Sequence, residues 1–193
     1  MTRTFEPSPN YLAQKASIEE FLAAYTPEMA AWKTTTTGKN ALTGSVVNRD
    51  LEARVFITNR LLDDGADAAT RGPDGTNLLH QLFYEREHDF EAEAPMLRRL
   101  FEGGADINAY SPKWGRPLHV LMDNTGLRDR LLGPFYDVIF AQPGIDWEVP
   151  VSLKSASEKR TLRELVELSG ERRPEMLRRM RDYLVNGPSP LPA

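Results

Sequence analysis

The sequence predicts an all-α fold in which short helix-turn-helix units stack into a solenoid, with hairpin tips between units and helical caps at both ends. Three observations predict it. Two stretches of the chain repeat each other, each repeat carries apolar residues at helical spacing, and no stretch alternates in the pattern of a strand. The chain has 193 residues, of which 40% are hydrophobic and 27% charged, so it has enough apolar side chains to fold in water.

The repeat is clearest in the middle of the chain. The stretch LLDDGADAATRGPDGTNLLHQL at 61–82 aligns without a gap with LFEGGADINAYSPKWGRPLHVL at 100–121, and Gly104 follows Gly65 by 39 residues. Weaker copies occur on both sides, GKNAL before the pair and FAQPGIDWEV after it, which gives a period of 37 to 40 residues. We therefore expect four units, at 36–69, 70–109, 110–147 and 148–185.

Each unit contains signals for a helix, a tip and a second helix. Gly-Ala-Asp triplets follow the apolar helical patterns and place glycine where a left-handed residue ends a helix. After the tips, Asn77 or Arg116 leads into a new helix, and Pro117 suits its first turn because the missing N–H has no intrahelical partner there. The connections inside two units, at 84–95 and 123–134, are expected to be long loops.

Both ends of the chain predict caps, which a stack of repeats needs because its end units would otherwise expose apolar faces. Residues 1–35 are expected to form N-terminal capping helices, one of which opens with a capping box made by Ser17 and Glu20. The last unit predicts a helix pair that separates at Pro174. Residues 186–193 are expected to form a disordered tail.

The motifs resemble the ankyrin repeat family. GADINA at 104–109 and RPLH at 116–119 match the family's Gly-Ala-Asp-x-Asn-Ala close and Gly-x-Thr-Pro-Leu-His opening. The resemblance spans 36–185 and weakens toward both ends, with a period longer than the usual ~33 residues. Other residues replace the motif threonine: Asn40, Asn77 and Arg116. The resemblance implies hydrogen bonds from His80 and His119 to the tip backbone of neighbouring units, and partners that bind tips and first helices.

The composition and charge of the chain limit the partners and the chemistry that we expect. The formal net charge of -4 gives no general attraction to nucleic acid or anionic membranes, so neither is expected as a partner. The chain has no cysteine, which excludes disulfides and thiolate ligands and fits a reducing compartment. No signal-peptide pattern or run of 18 apolar residues is present. We expect a cytoplasmic monomer that uses no cofactor.

The sequence contains no motif for catalysis or metal binding. The three histidines, His80, His88 and His119, lack zinc-site spacing, and His88 is expected to be a loop residue that faces solvent. Ser45 lacks the second glycine of a nucleophile elbow. We therefore expect no catalytic residue, no metal ligand and no enzyme activity. The alternative is an enzyme or regulatory domain with its site in the long loop at Glu85–Asp89.

Aromatic residues near the predicted tips are typical of a protein interface. Trp114 occupies the position of a tip glycine, whereas Trp147 is at an apolar position and is expected to pack between units. The arginines at 172–181 are interleaved with acidic residues and predict a solvated helix face.

These features predict a non-catalytic protein-protein interaction module. The resemblance to small, bacterial-looking ankyrin proteins suggests a narrower form, an immunity or antitoxin-type inhibitor. The expected partner-binding residues share a position on the tips or on the concave face of the first helices: Arg71, Asp74, Tyr84, Glu85, Tyr110, Lys113, Trp114, Asp123 and Asn124.

Overall fold

The computed structural model describes residues 7–151 and 160–191. Within those ranges the chain forms ten α-helices and two short 3-10 helices, and no strand, so the all-α prediction is confirmed. The α-helices are α1 Pro9–Lys15, α2 Ile18–Ala24, α3 Ala41–Ser45, α4 Leu51–Asp63, α5 Leu78–Tyr84, α6 Phe90–Glu102, α7 Pro117–Asp123, α8 Gly133–Phe140, α9 Leu162–Leu168 and α10 Pro174–Asn186. The 3-10 helices are Pro27–Ala31 and Asp129–Leu131.

The helices pack in two layers. The odd-numbered helices α1 to α9 contact one another in chain order in one layer, and the even-numbered helices α2 to α10 do so in the other. One helix pair, from α3–α4 to α9–α10, corresponds to each of the four predicted units, and α10 ends one residue beyond the last of them. None of the helices that the structure describes is long and apolar enough to cross a membrane.

A single apolar core runs through both layers, from Leu12 in α1 to Tyr183 in α10. Leu42, Leu79 and Leu118 occupy the same position in three successive units, and each is 0 to 1% exposed. A leucine side chain buried to this extent contributes roughly 1.5–3 kcal/mol relative to leaving it exposed. The repeated leucine therefore supports the stacking of the odd-numbered helices.

The asparagines that replace the motif threonine cap the first helices. Asn77 accepts a hydrogen bond from the backbone N–H of His80 at 3.2 Å in a reciprocal capping box, and Asn40 makes the same box at the start of α3. The Nδ2 of Asn77 also donates to the backbone oxygen of Asp106 at 2.7 Å, which ties the start of α5 to the turn that ends α6. Asparagine thus satisfies both ends of a helix pair with one side chain.

The third tip differs, because Arg116 makes no side-chain cap for α7. Its guanidinium instead donates to the backbone oxygens of Asn108 and Pro150, and so joins the third unit to the fourth. The left-handed residue of this tip is Gly115, with φ of 75°, rather than the aligned Trp114. The left-handed residue therefore lies one position later in the third tip than in the second. The Trp114 side chain lies on the wall of the tip.

Helix α6 begins earlier than the sequence predicts. The residues 84–95 were expected to form a loop, but Asp89 accepts a hydrogen bond from the N–H of Ala92 and starts the helix at Phe90. Pro95 lies inside this helix. The prediction of a long loop is therefore wrong for its second half, because the Asp89 cap and the apolar face of α6 outweigh the proline.

The helical caps contain both expected and unexpected elements. The Ser17–Glu20 capping box is confirmed, with bonds of 3.0 and 3.2 Å, and so is the helix that begins at Pro174. Helix α1 lies within the range expected to hold capping helices, but no local signal predicted its bounds. Residues 1–6 of the expected N-terminal cap and residues 152–159 of the expected fourth unit lie outside the described residues.

The segment expected to be a disordered tail makes contacts as far as it is described. Ser189 donates its backbone N–H to the backbone oxygen of Phe140 at 3.0 Å, and Leu191 packs against the core. The tail prediction is therefore wrong up to residue 191, because an apolar side chain near the end of the chain has a place on the core. Residues 192 and 193 lie outside the described part.

Candidate functional site

An open cleft of about 440 Å³ lies between α3, α5 and the neighbouring tips, and we call it the inner cleft. Side chains of α3 and α5 and the tips of the first three units line it. Five of the nine residues predicted to bind a partner lie here: Asp74, Tyr84, Glu85, Lys113 and Trp114.

An aromatic pair forms one wall of the inner cleft. Tyr84, the last residue of α5, is 56% exposed, and its ring meets the ring of Trp114 edge-on, with centroids 4.5 Å apart. The Nζ of Lys113 lies 4.6 Å from the Trp114 ring centre, within the range of a cation–π contact. The exposed Tyr84 ring is therefore held at a fixed place between two units, against a Trp114 ring that is itself half-buried on the core.

His80 holds the neighbouring tip in position. Its Nε2 donates to the backbone oxygen of Gly115 at 3.0 Å, as the resemblance implied, while its Nδ1 accepts from the N–H of Asn77 at 3.2 Å. Burial lowers the pKa of His80 below its usual value, so the imidazole is neutral near pH 7. Its two nitrogens are both used by the fold.

His119 differs from that expectation. Its Nδ1 lies 3.4 Å from the backbone oxygen of Trp114, in its own tip, and its Nε2 lies 3.1 Å from the carboxylate of Asp123. Burial opposes the charged imidazolium, but the hydrogen bond and charge of Asp123 outweigh it and raise the pKa of His119. The same bond to His119 lowers the pKa of Asp123. The pair fixes the Trp114 end of the cleft.

A second cleft of about 300 Å³ adjoins the inner cleft and shares Tyr84, Lys113 and Trp114 with it. Two further predicted residues, Asp123 and Asn124, lie there. The Nδ2 of Asn124 donates to three backbone oxygens at the end of α5, at 2.7 to 3.3 Å. Asn124 therefore supports the backbone at Tyr84 rather than presenting a free amide.

The last two predicted residues line neither cleft. Arg71 pairs with Asp106 at 2.5 Å, and the Tyr110 ring lies 5.8 Å from the guanidinium carbon of Arg116. The structure thus brings seven of the nine predicted residues to two adjoining clefts and leaves these two elsewhere on the tips.

The loop of the alternative site, Glu85–Asp89, turns its histidine inward. The His88 side chain is 0% exposed, stacks on Phe90 and lies with its Nδ1 2.8 Å from a carboxylate oxygen of Glu93. The other oxygen of Glu93 accepts from Arg54 at 3.0 Å. The prediction that His88 faces solvent is therefore wrong, because a buried ion pair between α4 and α6 draws the ring into the core. No cluster of three or more metal-ligating side chains occurs in the described ranges.

Two predictions near the carboxy terminus have opposite outcomes. Trp147 is 3% exposed and stacks on Phe140 with ring centroids 5.8 Å apart, which confirms its packing role. Arg173 does not belong to a solvated helix face. It is 1% exposed and donates to four backbone oxygens around the end of α7. No sequence signal separates Arg173 from the exposed arginines beside it.

Comparison with known proteins yields a fold neighbour. The chain is similar to a solved structure from Leptotrichia buccalis C-1013-b, described as that of a functionally unknown protein, with a TM-score of 0.66 and 25% sequence identity. The similarity covers 92% of this chain and 93% of that chain. No protein-family model and no curated protein matches the sequence. The comparison therefore supports the helical fold and says nothing about function.

Proposed function

We propose that this protein is a non-catalytic module that binds another protein, built as an ankyrin-like solenoid, and that its partner docks in the inner cleft. The repeated helix pairs support the solenoid, as do the Gly-Ala-Asp turns and the bond from His80 to the next tip. The absence of cysteine supports a cytoplasmic location. In the narrower form, an immunity or antitoxin-type inhibitor, the partner would be a protein toxin.

The observation that carries the proposal is the contact of the exposed Tyr84 ring with the half-buried Trp114 ring on the wall of an open cleft. Tyrosine and tryptophan are among the side chains that most often supply the binding energy of a protein interface. Both are held before any partner arrives: Asn124 bonds the backbone at the end of α5, and reciprocal bonds of 2.8 Å between Ser111 and Gly115 close the third tip. Little ordering entropy is then lost on association.

Two polar groups around the cleft that could serve a catalytic site, Asp74 and His80, are engaged by the fold. Asp74 accepts from both the N–H and the hydroxyl of Thr76, at 3.1 and 2.8 Å, and stabilises its own turn. His80 is neutral and has both nitrogens engaged. Neither group is left to act as a general base for a substrate in the cleft.

Site-specific photo-crosslinking in cells tests the proposal. A photoreactive amino acid at position 113, on the cleft wall, is compared with one at position 56, where Phe56 is an exposed aromatic in the other helix layer. We expect one dominant protein adduct at position 113, absent at position 56 and lost when Tyr84→Ala is added. Equal adducts at both positions, or an adduct at 113 that survives Tyr84→Ala, would refute binding in the inner cleft.

A further inference from the structure

A row of arginines lies on the loops that join the two helices of each pair. These loops run from α3 to α4, from α5 to α6, from α7 to α8 and from α9 to α10. All the arginines in the row are exposed, and we call them the arginine edge: Arg49, Arg86, Arg128, Arg130 and Arg172.

The arginine edge has little to bind within the protein. In the ranges 7–151 and 160–191, four of its guanidinium groups have neither a carboxylate within 4.0 Å nor a hydrogen bond to another group. The exception is Arg172, which donates to the backbone oxygen of Met122 at 3.1 Å and lies 3.8 Å from Asp123. Each guanidinium offers five N–H donors, so most of the donors on this edge face water.

Three of the six carboxylates on the same loops are used by the fold. Asp50 and Asp89 cap α4 and α6, with bonds of 3.0 and 3.1 Å to backbone N–H groups. Asp129 accepts from the hydroxyl of Tyr136 at 2.6 Å and from the N–H of Glu175 at 2.7 Å. Within the described ranges, the side chains of three acidic residues on these loops make no such contact: Glu85, Glu87 and Glu171. Four unpaired guanidinium groups therefore lie beside three unpaired carboxylates, so these loops keep more unused donors than carboxylates to accept from them.

The arginine edge is continuous with the aromatic pair. Tyr84 lines one depression with Arg49 and Arg86, and it also lines the second cleft, which includes Arg86 and Thr125. Thr125 in turn lines a wide depression with the remaining members of the edge, Arg128, Arg130 and Arg172. These depressions adjoin one another, because each shares a residue with the next. A partner that covers Tyr84 therefore extends along them to the arginine edge.

We propose that the arginine edge binds carboxylate side chains of the protein that docks in the inner cleft, so that this partner presents an acidic surface beside its apolar anchor. The inference rests on the proposed function. A planar guanidinium pairs with a carboxylate through two parallel hydrogen bonds, which fixes direction as well as adding affinity. A nucleic acid fits less well, since Glu87 and Glu171 interrupt the row and would lie against successive phosphates, whereas a folded protein can place single carboxylates at the arginines.

The test uses a synthetic peptide of ten glutamates as the probe, titrated into the full chain at low salt and followed by fluorescence anisotropy. The edge variant is Arg86→Glu/Arg128→Glu. The matched control is Lys15→Glu/Arg181→Glu, which changes the net charge equally at exposed cations that line none of these clefts. We expect the edge variant to weaken binding at least tenfold and the control to change it less than twofold. Thermal unfolding of both variants should match the wild type, because all four side chains are exposed.

Three outcomes overturn the inference. They are no binding of the peptide, an equal loss in the edge and control variants, and tighter binding of an oligonucleotide that carries the same number of negative charges. Failure here is distinguishable from failure of the proposed function. If the adduct at position 113 forms and requires Tyr84, but Arg86→Glu/Arg128→Glu leaves its yield unchanged, the inner cleft stands and only the arginine edge fails.

Discussion

Replacing Arg173 with methionine should remove the contact that joins the last helix pair to the pair before it. Arg173 stands immediately before α10, is 1% exposed, and donates to the backbone oxygens of Leu121, Met122, Asn124 and Leu127 at 2.7 to 3.2 Å. The carbonyls in the last turn of a helix have no intrahelical partner, so this guanidinium acts as a C-terminal cap for α7 supplied from another unit.

The expected loss of stability depends on which hydrogen bonds each carbonyl would keep after the substitution. Methionine keeps an apolar stem but has no donor. The oxygen of Met122 would keep its bond from Arg172, and the oxygen of Asn124 would keep its bond of 3.1 Å from the backbone N–H of Leu127. The oxygens of Leu121 and Leu127 would keep none within the described residues. A buried carbonyl left unpaired costs about 1–3 kcal/mol, so two of them should lower the free energy of unfolding by about 2–6 kcal/mol.

Urea unfolding followed by circular dichroism measures this loss. Arg172→Met is the matched control, since Arg172 is exposed and its contacts are long or shared, and it should cost less than about 1 kcal/mol. Arg173→Lys should fall between the two, because a single ammonium cannot reach carbonyls on several sides. The reasoning is refuted if Arg173→Met and Arg172→Met unfold within about 1 kcal/mol of each other.

Three further changes test the packing of the units. Gly75→Ala should destabilise the protein by more than the roughly 1 kcal/mol expected for Gly65→Ala. Both glycines have positive φ, but only at Gly75 would the new methyl lie 2.0 Å from a backbone oxygen. Equal losses of stability in urea unfolding would contradict this reasoning. Glu93→Leu should lower the free energy of unfolding by about 3–5 kcal/mol, because it leaves Arg54 buried without its carboxylate. In the same urea assay, adding Arg54→Met should recover part of that loss rather than add to it. The pKa of His119 is raised from 6.5, so its stabilisation is complete below pH 6.5 and is lost as the pH rises through the folded-state pKa. The difference in unfolding free energy between wild type and His119→Gln should therefore be largest below pH 6.5 and shrink as the pH is raised above it. A difference that stays constant with pH would exclude this linkage.

The sequence predicted those features that are encoded within a few residues. The capping box of Ser17 and Glu20 and the helix start at Pro174 are local signals, and both are present. The capping role of Asn40 and Asn77 was missed although its signal was available, since asparagine directly before an apolar run is a strong N-cap.

Buried polar side chains could not be predicted from the local sequence. Arg173 bonds to carbonyls 46 to 52 residues earlier in the chain, and His88 contacts Arg54 across 34 residues. Arg172 beside Arg173 and both neighbours of His88 are charged and exposed, so the local pattern predicts a solvated surface. Only the packing of one helix pair on another decides that these particular side chains point inward.

The candidate site was partly predictable for a related reason. Aligning the repeats places Trp114 at a tip, because a tip is a property of one unit. The same alignment cannot pair Trp114 with Tyr84, which ends the first helix of the preceding unit, or place both beside Arg86. The clefts form between units, so their shape depends on how successive units stack and not on any single motif. The bond from His80 to the backbone of Gly115 fixes that stacking, and it therefore belongs to the site although it touches neither ring.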